Sequence, residues 1–250
     1  MKICVFCSAN QQIDPEFFTL TEELGKWAAE NGHTIVYGGV NQGLMECLAK
    51  AAKEHGGRTI GIVPMIVEKS GRISDYVDID IPCDNLSDRK QLMMDQADVF
   101  IALPGGIGTI DEVFTVAASA TIGYHDKLVI LYNMKGFWDS LISMLDDLKT
   151  KGMIRGNWQD YIKTADSIEE ISRLIYNRSL TKCEAFLSYD NRLSANCSSC
   201  ASSADFMRER MVTIGSTISQ SFRPSIIERM TLPAEGAQLP FSMIPNLRFW

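Results

Sequence analysis

The residues from Leu103 to Glu112 combine a glycine-rich turn with a hydroxyl group and a carboxylate, in the order Leu-Pro-Gly-Gly-Ile-Gly-Thr-Ile-Asp-Glu. Glycines let the backbone turn tightly and approach a ligand without a Cβ in the way. A helix that starts at such a turn offers free N–H groups and a positive dipole end, which favour an anion such as phosphate. We therefore expect an anion-binding turn with the Glu112 carboxylate beside it. The residues of that turn are Gly105, Gly106, Ile107, Gly108 and Thr109.

The same stretch has a simpler interpretation as a capping box, in which Thr109 and Glu112 bond to backbone groups at the helix start. Their Thr-x-x-Glu spacing fits that motif. Two other phosphate-binding motifs are excluded, because no Gly-Lys-Ser/Thr follows the glycines and their spacing is not Gly-x-Gly-x-x-Gly. Taken alone, the turn favours the capping box, and a ligand site needs support from other residues.

Adjacent cations provide the first such support. Arg89 and Lys90 follow Ser87 and Asp88 at the start of a predicted helix. Cations at a helix start are unfavourable for the helix dipole, which suggests that a bound anion compensates them. The alternative is a solvated basic pair on the surface, and the two residues by themselves favour that alternative.

A second glycine turn follows an earlier predicted strand. The chain there runs from Tyr37 through Gly38 and Gly39 to Gly43, with another helix pattern beginning directly afterwards. By itself this arrangement predicts a tight connection between a strand and a helix. Together with the other two groups, it adds Gly38 and Gly39 to the candidates for ligand binding.

The elements that must position these residues alternate along residues 1–180. Short apolar runs without polar alternation predict buried strands, and segments with apolar residues at helical spacing lie between them. Alternation of this kind implies an α/β fold with a doubly wound, Rossmann-like parallel sheet, which binds ligands beyond the carboxyl ends of its strands. The predicted strands are Ile3–Phe6, Thr34–Tyr37, Thr59–Val63, Tyr76–Ile81, Val99–Leu103 and Leu128–Tyr132. The predicted helices run from Pro15 to Asn31 and over Leu44–His55, Ser87–Ala97, Thr109–Ile122, Phe137–Lys149 and Ile168–Tyr176.

Composition limits the classes of partner. The chain has 46% hydrophobic residues and a net charge of −7, which argues against a nucleic acid polymer, because such partners require a basic footprint. No apolar run approaches the roughly 20 residues of a membrane span. The seven cysteines are odd in number and scattered, so we expect reduced thiols and a cytoplasmic location. Residues 181–250 are rich in serine and proline without periodicity, and they predict an irregular extension.

Metal binding has little support in the sequence. Cys197 and Cys200 are close together, but no second pair of ligands follows them, whereas a structural zinc site needs four ligands. The three histidines, His33, His55 and His125, do not form a ligand set. We expect no metal and no cofactor.

Considered together, the motifs resemble those of the LONELY GUY (LOG) family. The resemblance consists of Gly38-Gly39 followed by Gly43-Leu44-Met45, then Arg89-Lys90, then Pro-Gly-Gly-x-Gly-Thr-x-x-Glu ending at Glu112. It implies a homodimeric enzyme that hydrolyses the N-glycosidic bond of a nucleoside 5′-monophosphate, such as a cytokinin riboside 5′-monophosphate or AMP. The products would be the free base and ribose 5-phosphate.

The resemblance also implies roles for individual residues. Arg89 and Glu112 would be the catalytic pair, Lys90 and the turn from Gly106 to Thr109 would hold the nucleotide, and Glu68 would contact the substrate. The chain departs from the family pattern in places. It has Leu-Ser-Asp-Arg-Lys where the family usually has Met-His-Glu-Arg-Lys, and Ala118 stands in place of a helix threonine.

A competing hypothesis is a nucleotide or cofactor carrier without turnover, because similar folds carry molybdenum cofactor and a fold does not settle a function. The pair Arg89 and Glu112 distinguishes the two hypotheses. A protein that only binds an anion has little use for a carboxylate near it. A third hypothesis is an interaction protein that recruits its partner through residues 181–250.

Overall fold

A computed structural model describes residues 1–178 of the chain. Strands and helices alternate along these residues, and the first compact unit of the chain comprises Met1–Ile175. The strands are β1 (Lys2–Phe6), β2 (Thr34–Tyr37), β3 (Arg58–Pro64), β4 (Ile79–Cys83), β5 (Val99–Ala102), β6 (Val129–Tyr132) and β7 (Ile162–Ala165). The helices are α1 (Pro15–Glu30), α2 (Gly43–Glu54), α3 (Met65–Lys69), α4 (Leu86–Gln96), α5 (Ile107–Thr121), α6 (Asp139–Thr150) and α7 (168–178).

The sheet has seven strands in the order β4-β3-β2-β1-β5-β6-β7, and every pair is parallel. From β1 the chain moves outward to β4, and it then returns to place β5 on the other side of β1. In register, Cys4 of β1 lies opposite Val36 of β2 and Phe100 of β5. The strand order therefore reverses at β1, and a sheet of this kind binds ligands at such a point. The predicted Rossmann-like α/β fold is confirmed.

Both faces of the sheet are covered, as the continuous apolar strands predict. On β1, Ile3 and Val5 point into the core beneath α1 and α2. The alternate residues Cys4 and Phe6 point into the opposite core beneath α4, α5 and α6. All four side chains are at most 2% exposed, so the centre of the sheet is a rigid support for the loops at its carboxyl edge.

The structure corrects several predicted boundaries. Strand β7 and helix α3 were not predicted, because β7 carries polar residues between its apolar ones and α3 is five residues long with none buried. Strand β4 begins at Ile79 rather than Tyr76. Helix α5 begins at Ile107 rather than Thr109, and α6 begins at Asp139 rather than Phe137 because a 3₁₀ turn precedes it. The predicted extension over 181–250 lies outside the described residues.

Candidate active site

The loops after β1, β2 and β5 meet at the point where the strand order reverses. The N–H of Ser8, after β1, donates to the carbonyl of Pro104, after β5, at 3.1 Å. The carbonyl of Ser8 accepts from the N–H of Leu44, in the first turn of α2, at 2.9 Å. The loop after β1 thus ties together the two glycine turns that the sequence singled out.

The glycine turn after β5 leads directly into α5. Gly106 is the N-cap residue of this helix, and within residues 1–178 no side chain caps the free N–H groups that follow it. A Cβ on Gly105 would lie 2.1 Å from the Thr109 hydroxyl oxygen, so glycine is needed there for the buried Thr109 side chain to pack into the turn. At Gly106 and Gly108, a Cβ would meet no other part of residues 1–178 within 4 Å. The N-terminus of α5 is therefore open to an incoming anion.

The capping-box interpretation of this turn is wrong. Thr109 is the third residue of α5 and not its cap, and its side chain packs against Gly105. Glu112 lies in the next turn of the helix, where its side chain is only 10% exposed. Both residues therefore face the protein interior beside the turn, and they do not bond to the backbone at the helix start.

Arg89 connects α4 to the ends of two strands. Its Nε donates to the carbonyl of Ile62 in β3 at 3.0 Å, and its Nη2 donates to the carbonyl of Gly38, after β2, at 3.3 Å. A Cβ on Gly38 would lie 2.0 Å from that Nη2, so glycine is required for the guanidinium to be where it is. Nη1 lies 3.6 Å from Oε1 of Glu112, and the Arg89 side chain is 12% exposed. Arg89 is therefore held by fixed backbone acceptors and paired with Glu112.

The start of α4 does not need a bound anion to compensate its cations. The side-chain oxygen of Asn85, the N-cap residue, accepts from the N–H groups of Ser87 and Asp88 at 2.9 Å each. Arg89 and Lys90 both have partners within the protein. The cations at the start of α4 are therefore compensated within the protein, and the dipole of this helix gives no reason to expect a bound anion there.

Glu112 has an unusual environment for a carboxyl group, because its side chain is buried. Burial raises its pKa from the ordinary 4.5 to about 7, the charge of Asp111 adds to that rise, and the charges of Arg89 and Lys90 oppose it. A carboxyl group with a pKa near neutrality exchanges protons readily at physiological pH, which is the property expected of a general acid or base.

Lys90 bridges α4 and α5 on the outside of this pair. Its Nζ donates to both carboxylate oxygens of Asp111, at 2.9 and 2.8 Å, and to the hydroxyl oxygen of Thr115 at 3.1 Å. These three contacts match the three donors of an ammonium group. Lys90 would have to leave Asp111 or Thr115 in order to hold a nucleotide directly.

Two other predicted substrate-binding residues lie on α3 and in the turn after β2. Glu68 is exposed on α3, and its charge, after the larger effect of burial, helps to raise the pKa of Asp80 on β4. Gly39 is buried, and a Cβ there would lie 2.4 Å from Cγ2 of Val63. Gly39 therefore packs the turn against β3, whereas the carbonyl of Gly38 is the group that reaches Arg89.

An open cleft of about 410 Å³ ends at Arg89. Its polar lining is confined to Arg89 and to Asp84 and Asn85 at the start of α4. Among its apolar residues, Ile66 and Leu86 are 76% and 65% exposed. The cleft has no signal in the sequence, because the exposure of apolar side chains is a property of the folded chain. The apolar lining residues are Ala9, Val40, Met45, Pro64, Ile66, Val67 and Leu86.

Within residues 1–178 no group of three or more histidine, cysteine, aspartate or glutamate residues is placed to hold a metal ion. In the same range, no helix combines the length and the apolar character needed to cross a membrane.

Residues 45–175 match a family model described as "possible lysine decarboxylase". A rice protein named probable cytokinin riboside 5′-monophosphate phosphoribohydrolase LOGL3 is 30% identical over 194 residues, which cover 78% of this chain and 88% of the rice protein. A cytokinin riboside 5′-monophosphate phosphoribohydrolase of Mycobacterium tuberculosis is 32% identical over 171 residues, covering 68% of this chain and 91% of the relative.

Solved structures with the same fold include cofactor-binding proteins. The molybdenum cofactor binding protein of Rippkaea orientalis is 28% identical with a TM-score of 0.55, over 70% of this chain and 95% of that one. The Moco carrier protein of Chlamydomonas reinhardtii is 26% identical with a TM-score of 0.54, over 70% and 98%. The family model matches more than half of the chain. The two curated relatives are at least 30% identical, and the alignments cover more than two thirds of this chain and of each relative. This chain therefore belongs to the LOG family of phosphoribohydrolases.

Proposed function

We propose that this chain hydrolyses the N-glycosidic bond of a nucleoside 5′-monophosphate and releases the free base and ribose 5-phosphate. One observation carries the proposal. A buried carboxyl group, Glu112, has its pKa raised to about 7 and lies 3.6 Å from a fixed guanidinium, beside an open glycine turn. The printed names of the curated relatives support the same reaction.

Two neighbouring features suit the two ends of such a substrate. The uncapped start of α5 at Gly106 suits a phosphate group. The mostly apolar cleft suits a planar base, since sites for small molecules are largely apolar with a few fixed polar groups. Arg89 connects the cleft with α5, because it lines the cleft and pairs with Glu112. The glycosidic bond of a nucleotide bound in this way would lie near that pair. We propose a cytokinin riboside 5′-monophosphate or an AMP-like nucleotide as the substrate.

The proposed mechanism requires only water as a second reactant. As the bond between C1′ and the base nitrogen breaks, positive charge develops on the sugar, as it does in glycoside hydrolysis. The ionised Glu112 stabilises that charge and accepts a proton from the water that attacks C1′. The departing base takes the electron pair of the broken bond and gains a proton from solvent water, and Glu112 releases to solvent the proton that it accepted, so the protons balance over the cycle. Arg89, held by its two carbonyl acceptors, keeps Glu112 ionised and orients the nucleotide.

A second candidate is a carrier that binds a nucleotide or cofactor without cleaving it. The similarity to proteins that bind molybdenum cofactor favours it. The buried Glu112 counts against it, because an ionisable carboxylate beside an anion site weakens the binding of an anion. The two candidates therefore differ in what Glu112 is for.

The decisive experiment measures the release of free base by chromatography from AMP and from isopentenyladenosine monophosphate. We expect release by the native protein, loss of release in Glu112→Gln, and retention in Glu54→Gln, the same change at an exposed carboxyl group of α2 that pairs with Lys50. Adenosine, which lacks the phosphate, should be a poor substrate. If the folded native protein binds both nucleotides and releases no base from either, the enzyme proposal is wrong and the carrier becomes the better candidate.

We further propose a cytoplasmic homodimer with its sites near the interface. The family resemblance is the basis for the homodimer. The cytoplasmic location is supported by the cysteines without a disulfide among the described residues, which are Cys4, Cys7, Cys47 and Cys83. Sedimentation of the full chain would test the assembly, and a monomer at assay concentration would contradict it.

A further inference from the structure

Residues 72–78, called the strap from here on, connect α3 with β4 and lie against the turn after β2. The N–H of Asn41 donates to the carbonyl of Arg72 at 3.0 Å, and the N–H of Ser74 donates to the carbonyl of Gly39 at 2.9 Å. The residues between these two pairs form an antiparallel bridge. The strap is therefore bonded to the backbone that immediately follows Gly38.

The far end of the strap is anchored to β3 by a dense set of hydrogen bonds. The N–H of Thr59 donates to Oδ2 of Asp78 at 2.9 Å, and the N–H of Asp78 donates to the hydroxyl oxygen of Thr59 at 3.1 Å. The Thr59 hydroxyl in turn donates to the carbonyl of Tyr76. Thr59 is fully buried, and Lys53 of α2 forms an ion pair with Asp78. No step of the proposed reaction uses these groups.

Packing connects the anchor with the turn. A Cβ on Gly61 of β3 would lie 2.9 Å from Cγ2 of Val77 in the strap and 3.2 Å from Cα of Gly39. These three residues are therefore stacked without free space between them. A displacement of the strap must move Gly39, because a close-packed interior transmits strain. Gly38 is the next residue, and its carbonyl accepts from Nη2 of Arg89.

We propose that the strap is a positioning element of the active site, in which Thr59 and Asp78 hold the Gly38 carbonyl where it orients Arg89 toward Glu112. Thr59 and Asp78 act only through Arg89 and do not contact the substrate. This inference rests on the proposed function, because it explains how the guanidinium of the catalytic pair is held in place.

A loosened strap has a specific consequence for Glu112. The charges facing this carboxyl group are Arg89 and Lys90 from α4 and Asp111 from its own helix, and the buried thiols of Cys4 and Cys7 on the β1 side also interact with it. Arg89 is the strongest of the groups that lower the pKa of Glu112. If Arg89 moves away, that pKa rises, and the carboxylate needed for the reaction forms only at higher pH.

The test uses Thr59→Val, which keeps the shape of the side chain and removes its hydroxyl. Asp78→Asn is the second variant, in case the first does not fold. Lys50→Met is the control, because it breaks an exposed ion pair with Glu54 on α2 and does not touch the strap. The turnover of AMP is measured from pH 5.5 to 8.5, and the carboxyl carbon of Glu112 is titrated by NMR in ¹³C-glutamate-labelled protein, with Glu112→Gln for assignment.

We expect Thr59→Val and Asp78→Asn, called the strap variants because both loosen the anchor of the strap, to lower kcat by roughly tenfold to a hundredfold. A displacement of about 1 Å in a positioned group has a cost of this size. The midpoint of the acid limb and the NMR titration of Glu112 should both move to higher pH, while Lys50→Met changes neither. An unchanged titration of Glu112 in both strap variants would overturn the inference, even if they were less stable. Absence of turnover in the native protein would instead overturn the proposed function, and the NMR titration would still decide the role of the strap.

Discussion

Replacing Glu112 with glutamine should stabilise the fold at alkaline pH, although it should abolish the proposed reaction. The carboxyl group is buried, and its pKa is about 7 in the folded protein against an ordinary value of 4.5. The folded state therefore binds the proton more tightly than the unfolded state between these two values. By linkage, the contribution of Glu112 to stability is greatest below pH 4.5, falls as the pH rises through 7, and is constant above that.

The size of the effect follows from the same shift. The difference between about 7 and 4.5 corresponds to about 3 kcal/mol in the free energy of unfolding once the group is fully ionised. Glutamine has nearly the shape of the protonated acid and no charge to desolvate. We expect Glu112→Gln to exceed the native protein in stability by about 1 kcal/mol at pH 5.5 and by about 3 kcal/mol at pH 8.5. The charge of Arg89 is already included in the shifted pKa.

The assay is urea unfolding of both proteins at pH 5.5, 7.0 and 8.5, at one protein concentration and one ionic strength. The lowest pH stays above the isoelectric point near 5.1, where association is favoured. Titrating groups elsewhere in the chain contribute equally to both proteins and cancel in the difference. Glu54→Gln is the control, because its side chain is 56% exposed and the change should alter stability by less than about 1 kcal/mol.

Two results would refute this reasoning. If the stability difference between Glu112→Gln and the native protein does not change with pH, the carboxyl group does not titrate in the neutral range. If the variant is the less stable protein at pH 8.5, the ion pair with Arg89 more than offsets the cost of burying the charge, and its loss leaves the Arg89 charge buried without a partner.

Three further predictions concern the proposed reaction. The kcat/KM of the native protein should rise with pH through about 7, because the ionised form of Glu112 is the active one. A profile that falls over this range would mean that Glu112 acts as a general acid instead. Arg89→Lys should lower kcat at least about tenfold, since one ammonium group does not reproduce the planar fork that reaches two carbonyls and a carboxylate; base release at the native rate would contradict this. Gly108→Ala should leave the fold as stable or make it up to about 1 kcal/mol more stable, because Gly108 is a helical glycine and the space around it is open. The same change should raise the KM for AMP. An unchanged KM would mean that the phosphate binds elsewhere.

The parts of the fold that the sequence predicts are those in which local pattern and environment agree. Strand β2 was predicted over Thr34–Tyr37 and is found there, because a central strand is apolar on both faces. The strands with the largest errors, β4 and β7, lie at the two edges of the sheet. Edge strands have fewer neighbours to cover them, and the apolar pattern on which the prediction depends is weaker there.

In the site, too, some features could be predicted from the sequence and others could not. Arg89 and Glu112 were identified from side-chain types and spacing, and the structure places them side by side. The acceptors that hold Arg89 are backbone carbonyls of Ile62 and Gly38, 27 and 51 residues away in the chain. Every residue has a carbonyl, so no sequence pattern marks the two that face a guanidinium. The burial that shifts the pKa of Glu112 is likewise a property of the folded chain.

Apart from Arg89, which belongs to both, the cleft and the catalytic pair draw on different stretches of the polypeptide. The side chains that line the cleft come from the loops after β1 and β2, the end of β3, helices α2 and α3, and the start of α4. None belongs to α5, which carries Glu112. Substitutions at Val40, Ile66 or Leu86 can therefore reshape the compartment for the base while leaving the chemical step intact. Such modularity offers a route by which one lineage of proteins diversifies its ligands, and mutational libraries confined to those three positions would explore it.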